Sequence, residues 1–373
     1  YMENNFIIDQ KSLSSILAFM QPICAKRTTL DTTSSILFQA GHKELVLKST
    51  DLEISLQYSC PLDNSALEGE SFLLSGKRVF ELIKELDGDI NFVLKDNHIG
   101  IESGSARLAL NIKDAQEFPP FPERIENLMH LDSDFLLTML EKVAFLIPQN
   151  NANPALNGLF LEVNSEGFKM TATDGHCLVQ VKSSEYTLPE AKSWLLPRRA
   201  IFELKKIIEN TEDKTIFVGL CGNQLVFSGE SFNFFTKLLS SSFPQYSAIM
   251  DRVGFEEAQT AKTELTKALR RSAVLLSGQF IATQFAFKKT KLHISIKNKE
   301  VGALDESVSL SGSKVGELDM RFYAPYILNG IQIFNDETVT FWLQNSSRPI
   351  IFEAKEEKYH TTYLVMPVSP ANE

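Results

Sequence analysis

The residues of this chain that could do chemistry are few, and the most suggestive of them stand together in Thr173-Asp174-Gly175-His176. An aspartate and a histidine at this spacing could serve a hydrolase as general acid and base. A hydrolase also needs a nucleophile and an oxyanion site, and no Gly-x-Ser-x-Gly motif stands nearby. The same residues fit a tight turn, in which Asp174 accepts bonds from local backbone amides and Gly175 takes a positive φ. We therefore predict no catalytic residue and keep a hydrolase as an alternative.

Neither a metal site nor a nucleotide site is predicted. The cysteines form no C-x-x-C pair, which argues against zinc and against a disulfide framework; they are Cys24, Cys60, Cys177 and Cys221. The nearest approach to a phosphate-binding loop is Gly76-Lys77, but Ser71 stands where its first glycine is needed, and Arg78 where its Ser or Thr is needed. We expect no cofactor and reduced, buried thiols.

Length and composition indicate a globular protein of several domains. The chain has 373 residues, 43 % of them apolar, which fits two to three domains of ordinary size. It contains no run of eighteen apolar residues that could span a membrane, and its start lacks the basic and apolar regions of a signal peptide. We expect a cytoplasmic protein, associated with the nucleoid if it binds DNA.

Whether the chain can bind nucleic acid depends on where its charges lie as well as on their sum. A net charge of −10 ordinarily argues against a nucleic-acid partner, because DNA binding depends on Lys and Arg that neutralise phosphates. However, six helix-like stretches together carry +6, which leaves −16 for all other segments; the stretches are 9–20, 77–86, 132–147, 198–208, 261–276 and 320–334. If the helices share one surface, that surface is positive. The alternative is that the helices merely carry ordinary solvated charges.

The chain is built from three copies of one plan. Phe118-Pro119 and Phe243-Pro244 lie 125 positions apart, and a Leu-x-x-x-Leu pair recurs at Leu13, Leu136 and Leu265. Thr50-Asp51 is matched by Thr173-Asp174, and more weakly by Lys297-Asn298. A period this long exceeds that of solenoids and propellers, so each repeat is a whole domain. We place the three domains at residues 1–127, 128–253 and 254–373.

Each repeat shows two helical stretches among several strands. Apolar residues recur at helical spacing, as in Leu13, Ile16, Leu17 and Met20, while the segment from Leu52 to Tyr58 alternates as a strand does. The second helices should begin after Ser75-Gly76, after Pro197 and near Pro325. The predicted fold is α+β, with three similar domains that each pack two helices on antiparallel sheet.

Such domains could join edge to edge and close a ring around DNA. If two chains supply twelve helices to the inside, a spacing of about 9 Å puts the helix axes on a circle about 34 Å across. Subtracting a helix diameter of about 10 Å leaves a hole of roughly 24 Å. A DNA duplex would pass through.

The motifs closely resemble one family, the beta sliding clamp of bacterial DNA polymerase III. The similarity is carried across nearly the whole chain by Thr50-Asp51-Leu52-Glu53, Leu156-Asn157-Gly158, Ala172-Thr173-Asp174-Gly175-His176, Phe243-Pro244-Gln245-Tyr246 and Tyr363-Leu364-Val365-Met366-Pro367. The resemblance implies a processivity factor that is not an enzyme: a head-to-tail homodimer that encircles double-stranded DNA without sequence preference and tethers the replicative polymerase. It also implies a clamp loader that opens the ring, and other polymerases and repair proteins that dock through short peptides.

In this family an extended peptide ending in Leu and Phe binds an apolar pocket. Carried over position by position, the resemblance assigns that pocket to Leu156, Thr173, Gly175, His176, Cys177, Leu178, Pro244, Ala248, Ile249, Tyr326, Ser347, Pro349, Val365, Met366, Pro367 and Val368. Cys177 and Ala248 replace basic residues that are common in the family. We therefore expect weaker attraction for acidic flanks of partner peptides. The tail after Met366-Pro367 departs from the usual ending, and it either reaches the pocket or is disordered.

The resemblance also suggests which residues meet DNA and the second copy. The DNA-facing candidates are Arg27, Lys77, Arg78, Arg198, Arg199, Lys205, Lys267 and Arg271, each of which could instead be an ordinary surface charge. The expected dimer interface places Leu108 and Leu110 of the first domain against Val274 and Leu275 of the third. A soluble scaffold with no DNA function remains a further alternative.

Overall fold

A computed structural model describes residues 4–278 and 280–369. The chain divides into two compact units, the first comprising Tyr1–Leu137 with Arg199–Leu238 and the second Thr138–Arg198 with Leu239–Glu373. The middle third of the chain is therefore shared between the two units. The N-terminal residues 1–3 and the predicted tail at 370–373 lie outside the described residues.

The described residues contain helices and short strands in a regular order. The helices are α1 Gln10–Cys24, α2 Gly76–Lys84, α3 Ser133–Val143, α4 Arg198–Asn210, α5 Lys262–Ala273 and α6 Ala324–Ile331. The strands of the first third are β1 Asn5–Asp9, β2 Ser35–Ala40, β3 Glu44–Thr50, β4 Ile54–Pro61, β5 Asn64–Ser65, β6 Glu70–Ser75, β7 Asp89–Leu94, β8 His98–Ser103, β9 Ala106–Asn111 and β10 Lys113–Asp114. Those of the middle third are β11 Glu126–Asp132, β12 Gly158–Val163, β13 Phe168–Thr173, β14 Cys177–Ser183, β15 Lys192–Pro197, β16 Thr215–Cys221, β17 Gln224–Ser228 and β18 Phe232–Thr236. Those of the last third are β19 Glu256–Ala261, β20 Thr283–Phe287, β21 Lys291–Asn298, β22 Gly302–Ser309, β23 Leu318–Phe322, β24 Thr338–Leu343, β25 Ile350–Lys355 and β26 His360–Val365.

The first unit contains two antiparallel sheets. One has the order β5-β1-β7-β8-β9, and the other has the order β10-β6-β2-β3-β4-β18-β17-β16-β11. The second sheet becomes continuous where β4 pairs with β18, so that Leu56 lies opposite Phe234. Both of these side chains are fully buried. Strands from two different repeats thus share one sheet and one core.

The second unit follows the same plan. Its sheets have the orders β15-β12-β13-β14-β26-β25-β24-β19 and β22-β21-β20-β23. The longer sheet joins the middle repeat to the last one where β14 pairs antiparallel with β26. This pairing positions the candidate site described below.

The helices form where the sequence predicts them. Asp9 caps α1 by accepting a bond from the Ser12 amide at 3.1 Å, and Ser75 caps α2 in the same way through the Arg78 amide at 3.3 Å. The second helices of the three repeats begin at Gly76, Arg198 and Ala324, which confirms the predicted starts. One stretch differs from the helix-like range 320–334. Residues 320–322 belong to β23, because the chain alternates there between buried and half-buried side chains, and α6 starts only beside Pro325.

The repeated Thr-Asp pair builds the same turn twice. Between β3 and β4, Asp51 Oδ1 accepts the amides of Glu53 at 2.9 Å and Ile54 at 2.7 Å, and Leu52 takes a φ of 76°. A leucine backbone is strained in this left-handed region, and the other turn has Gly175 at the equivalent position. In the third repeat Asn298 replaces the aspartate. Its Oδ1 accepts the Glu300 amide at 3.1 Å, and its Nδ2 also donates to the Leu275 carbonyl at 2.7 Å.

Asp51 is also half of a buried ion pair inside the first unit. Its side chain is 0 % exposed and pairs with the Arg199 guanidinium, which is 29 % exposed. Arg199 Nη2 also donates to the Pro22 carbonyl at 2.7 Å. The start of α4 is thereby joined to the turn of the first repeat and to the end of α1.

A polar cluster lies in the second unit around Glu353, whose side chain is 7 % exposed. Glu353 pairs with Arg252 and with Lys355, and its Oε1 lies 3.0 Å from His360 Nε2. Burial, and after it the positive charges of Lys182, Arg252 and Lys355, lower the pKa of His360 to about 4. The imidazole is therefore neutral at pH 7.

Candidate functional site

The Thr173–Cys177 segment is a turn built by its own backbone bonds. Asp174 Oδ1 accepts the amides of His176 at 2.9 Å and Cys177 at 2.8 Å, and Gly175 has a φ of 92°. Thr173 Oγ1 donates to the Cys177 carbonyl at 2.6 Å. The interpretation of this motif as a tight turn is confirmed. One carboxylate oxygen of Asp174 is committed to holding the turn, and the turn presents the exposed His176 ring.

The β14–β26 pairing brings the end of the chain beside this turn. Leu178 lies opposite Leu364 and Cys177 opposite Val365, and the Met366 amide donates to the His176 carbonyl at 2.9 Å. Burial, and to a smaller degree Asp174, raises the pKa of the Cys177 thiol to about 12. Cys177 is 1 % exposed and therefore contributes an uncharged, buried side chain beside the turn.

An apolar floor lies beneath the turn. Leu178 and Leu364 form a buried cluster with Phe255 and Ile351, against which the half-buried Tyr246, Ile249, Met250 and Trp342 pack. Leu156 closes one side, since a Cβ atom on Gly175 would lie 3.9 Å from its Cδ1. This floor is suited to aliphatic and aromatic side chains of a ligand.

Helix α6 supplies an aromatic wall. The Tyr326 ring stacks on His176 at 5.5 Å with an interplanar angle of 16°, and Tyr323 meets Tyr326 edge to face at 4.9 Å. The helix is held close to β26 because Gly330 faces the Tyr363 ring, where a Cβ atom would fall only 1.7 Å from Cε1. The Tyr363 hydroxyl donates to the Tyr326 carbonyl at 2.5 Å. Glycine at position 330 is therefore required for the wall to stand where it does.

Most of the pocket residues assigned from the resemblance meet in these contacts, and the remainder are placed as follows. Pro244 and Ala248 are exposed, near the short 3₁₀ turn Ser247–Met250. Ser347 is exposed and donates to Asn345 Oδ1 at 2.8 Å, while Pro349 is buried just before β25. The half-buried Pro367 leads to Val368, whose amide donates to the Arg321 carbonyl at 2.7 Å.

Sequence reasoning missed three aromatic or apolar participants, Tyr246, Met250 and Tyr323. Tyr246 stands in the Phe-Pro-Gln-Tyr motif, which could have marked it. Its hydroxyl donates to Glu162 Oε2 at 2.5 Å, and burial together with Glu162 raises the pKa of Tyr246 to about 12. No sequence motif marks Tyr323, because its place in the aromatic wall depends on contacts with Tyr326 and Phe280 that only the fold brings about.

The basic residues assigned to DNA fall into two groups. Five are exposed, and of these Arg27, Lys77, Arg78 and Lys267 form the first group. The second group has protein partners. Arg198 donates to the Ile147 carbonyl at 3.1 Å, Arg199 pairs with Asp51, and Lys205 pairs with Glu209 at 3.4 Å. The fifth exposed residue, Arg271, belongs here because it binds Glu306 with two nitrogens at 2.6 and 2.9 Å. The first group carries the stronger prediction of phosphate contact.

The residues assigned to the dimer interface lie at or near sheet edges. Leu108, 41 % exposed, and the half-buried Leu110 belong to β9, the last strand of its sheet. Val274, 74 % exposed, and the half-buried Leu275 follow α5, whose Arg271 holds Glu306 on the edge strand β22. Edge strands present unpaired backbone groups that a second chain can bind.

Two negative findings apply to residues 4–278 and 280–369. No group of three or more His, Cys, Asp or Glu side chains there is arranged to hold a metal ion. Every helix in that part of the chain is too short or too polar to cross a membrane.

Comparisons with known proteins agree along the chain. Models of the DNA polymerase III beta subunit match residues 4–122 as its N-terminal domain, 130–245 as its central domain and 255–369 as its C-terminal domain. The beta sliding clamp of Pseudomonas aeruginosa is 25 % identical over 98 % of this chain and 99 % of its own length. That of Chlamydia muridarum is 24 % identical over 97 % and 98 %. A crystal structure of the Pseudomonas aeruginosa clamp bound to griselimycin superposes with a TM-score of 0.90 at 23 % identity, covering 98 % of this chain and 100 % of that one.

These matches confirm the predicted α+β fold of three similar domains, while our boundaries after residues 127 and 253 stay a prediction. The three family models together span nearly the whole chain. The chain therefore belongs to the DNA polymerase III beta subunit family, the sliding clamps that act as processivity factors of that polymerase.

Proposed function

We propose that the protein works as a head-to-tail homodimeric ring, which encircles double-stranded DNA and holds partner proteins by a peptide pocket. The observation that carries the proposal is the site at the β14–β26 junction, where the exposed His176 ring stacks on Tyr326 beside the apolar floor at Leu178. An exposed aromatic wall next to an apolar floor suits an extended peptide with Leu and Phe side chains.

The partners that fit this site are the replicative polymerase, the clamp loader, and other polymerases and repair proteins that carry such peptides. No catalytic step is proposed, because the one motif that suggested hydrolysis is a turn whose carboxylate accepts two backbone amides. A clamp of this kind would act in the cytoplasm, on the nucleoid.

Ring closure would join the exposed edge of β9 to the edge strand β22 of a second copy. Each of these strands is the last of its sheet and so has a row of backbone groups that the other could bind. Pairing two open edges would also protect backbone groups that otherwise invite aggregation.

The decisive test is topological. The protein, loaded by a clamp loader, should remain on nicked circular DNA through gel filtration and should leave when that DNA is linearised. Neither a hydrolase nor a soluble scaffold predicts loss from a free end. Equal retention on both forms would contradict the proposal.

The electrostatic part can be tested separately on the exposed cations. Replacing Lys77 and Arg78 by alanine should lower the slope of log Kd against log salt by about 2. The matched control replaces Lys288 and Lys289, an exposed pair in the β20–β21 turn, and should leave the slope unchanged. An equal loss in both variants would mean that the net charge, rather than a defined surface, sets DNA affinity.

A further inference from the structure

A groove of about 600 Å³ lies in the second unit, beside the peptide pocket but separate from its floor. Its apolar lining comes from Phe280, Ile281, Ile296, Ala303, Leu304 and Val368. Phe280 is 53 % exposed and is the most exposed aromatic residue of this lining.

A continuous row of rings joins this groove to the pocket. His176 stacks on Tyr326 at 5.5 Å, Tyr326 meets Tyr323 at 4.9 Å, and Tyr323 stacks on Phe280 at 4.8 Å. Val368 lines the groove and also belongs to the residues assigned to the pocket. One surface therefore runs from the His176 turn to Phe280.

The groove is lined by consecutive residues of the edge strand β22, Ala303 to Asp305, and by their neighbours on β21. The residue pairs Ser295–Asp305 and Lys297–Ala303, which sit opposite each other on β21 and β22, both line it. Side chains at these positions point out of the sheet, whereas strand pairing at the edge uses backbone groups. A second copy bound at the edge of β22 would therefore lie next to this groove, so the test below must separate peptide binding from dimer formation.

Resting on the proposed peptide pocket, we propose that this groove binds the segment of a partner peptide that precedes its Leu-Phe end. If Leu and Phe occupy the floor at Leu178, the rest of the peptide leaves along the row of rings toward Val368, over the half-buried Tyr326 and Tyr323. Because Lys297 and Asp305 offset each other among the lining residues, the groove selects an apolar or aromatic side chain rather than a charged run.

The ring row also sets the spacing. Three ring-to-ring steps of about 5 Å cover at most about 15 Å, which an extended peptide spans in roughly four to five residues at about 3.3 Å each. The preferred partner therefore carries an aromatic residue four or five positions before the residue that contacts His176.

The test uses three synthetic probes on the full chain, with Kd measured by fluorescence anisotropy. The core probe is a six-residue peptide ending in Leu-Phe. The tryptophan probe adds five residues before this core, with a tryptophan at the predicted spacing. The Gly-Ser probe adds five Gly and Ser residues there instead. The tryptophan probe should bind wild type roughly tenfold more tightly than the core probe, as expected for one well-packed aromatic contact. The Gly-Ser probe should bind like the core.

Two variants locate the gain. Phe280→Ala should abolish the advantage of the tryptophan probe and leave core affinity unchanged, whereas Phe217→Ala, which alters a phenylalanine of similar exposure in the first unit, should change neither. Sedimentation of both variants checks the oligomeric state.

The outcomes separate this inference from the proposed function. If the core probe fails to bind wild type, the peptide pocket itself is wrong. If the core binds and the tryptophan adds nothing, or if its gain survives Phe280→Ala, the groove proposal is overturned. It is also overturned if Phe280→Ala changes only dimer formation, because a second copy would then occupy the groove. The same holds if the affinity gain appears only in a chain ending at Ser369, because the chain's own last residues would then be the occupant.

Discussion

Replacing Arg199 by methionine should destabilise the first unit by removing the charge partner of a fully buried carboxylate. Removing one member of a buried pair typically costs about 3–5 kcal/mol. Asp51 keeps its two backbone amide bonds at 2.7 and 2.9 Å, and the 29 % exposure of Arg199 screens part of the attraction. The Pro22 carbonyl also loses its bond from Arg199, worth about 1 kcal/mol. We expect a total loss of about 3 kcal/mol in the free energy of unfolding.

Urea unfolding measures this loss, and the distribution of tryptophans helps to locate it. Trp194 and Trp342 both lie in the second unit, so their fluorescence reports that unit, whereas far-UV circular dichroism reports both. With a slope of about 3 kcal/mol per molar urea, the circular dichroism midpoint of the first unit should fall by about 1 M. Hydrogen exchange should rise in the turn after β3 and at the start of α4. Arg78→Met, at an exposed arginine, is the control.

A double variant tests the cause. Asp51→Asn combined with Arg199→Met keeps an oxygen for the two amides and removes the buried charge, so it should recover at least half of the loss. A double variant less stable than Arg199→Met alone, or an Arg199→Met protein as stable as wild type, would refute the reasoning.

Three further predictions follow from the described contacts. The pKa of His360 is about 4 in the folded protein and near 6.5 when unfolded, so its contribution to the free energy of unfolding is present above pH 6.5 and is lost as the pH falls toward 4. In His360→Gln the free energy of unfolding should fall by about 2 kcal/mol less over this pH range than in wild type. An unchanged pH profile of unfolding would count against this prediction. Val274→Asp should give monomers in sedimentation while Val253→Asp, at an even more exposed valine, keeps the dimer; a dimer in both would rule out our interface assignment. For peptides with acidic flanks, affinity should depend weakly on salt concentration in wild type and more steeply in Ala248→Lys. A steep salt dependence in wild type would contradict the prediction that this pocket has lost cationic groups.

The sequence was sufficient to predict the parts that depend on local pattern. The helices and the Thr-Asp turns follow from spacing of a few residues, because caps, turn residues and apolar stripes act within one or two helical turns. The three repeats follow because the same local patterns recur along the chain. The residues of the resemblance likewise marked Thr173, His176, Tyr326 and Met366 before any contact was known. Such signals carry no information on which distant strand an edge will meet.

By itself, then, the sequence determined the elements, the repeat and the family. The tertiary structure alone decided that β14 pairs with β26, that Asp51 pairs with Arg199, and that Phe280 stacks on Tyr323. These contacts join residues roughly 40 to nearly 190 positions apart, where the periodicity of one segment says nothing about the other. Their formation depends on which faces remain unburied after each repeat has folded, and that is a property of the assembled sheets.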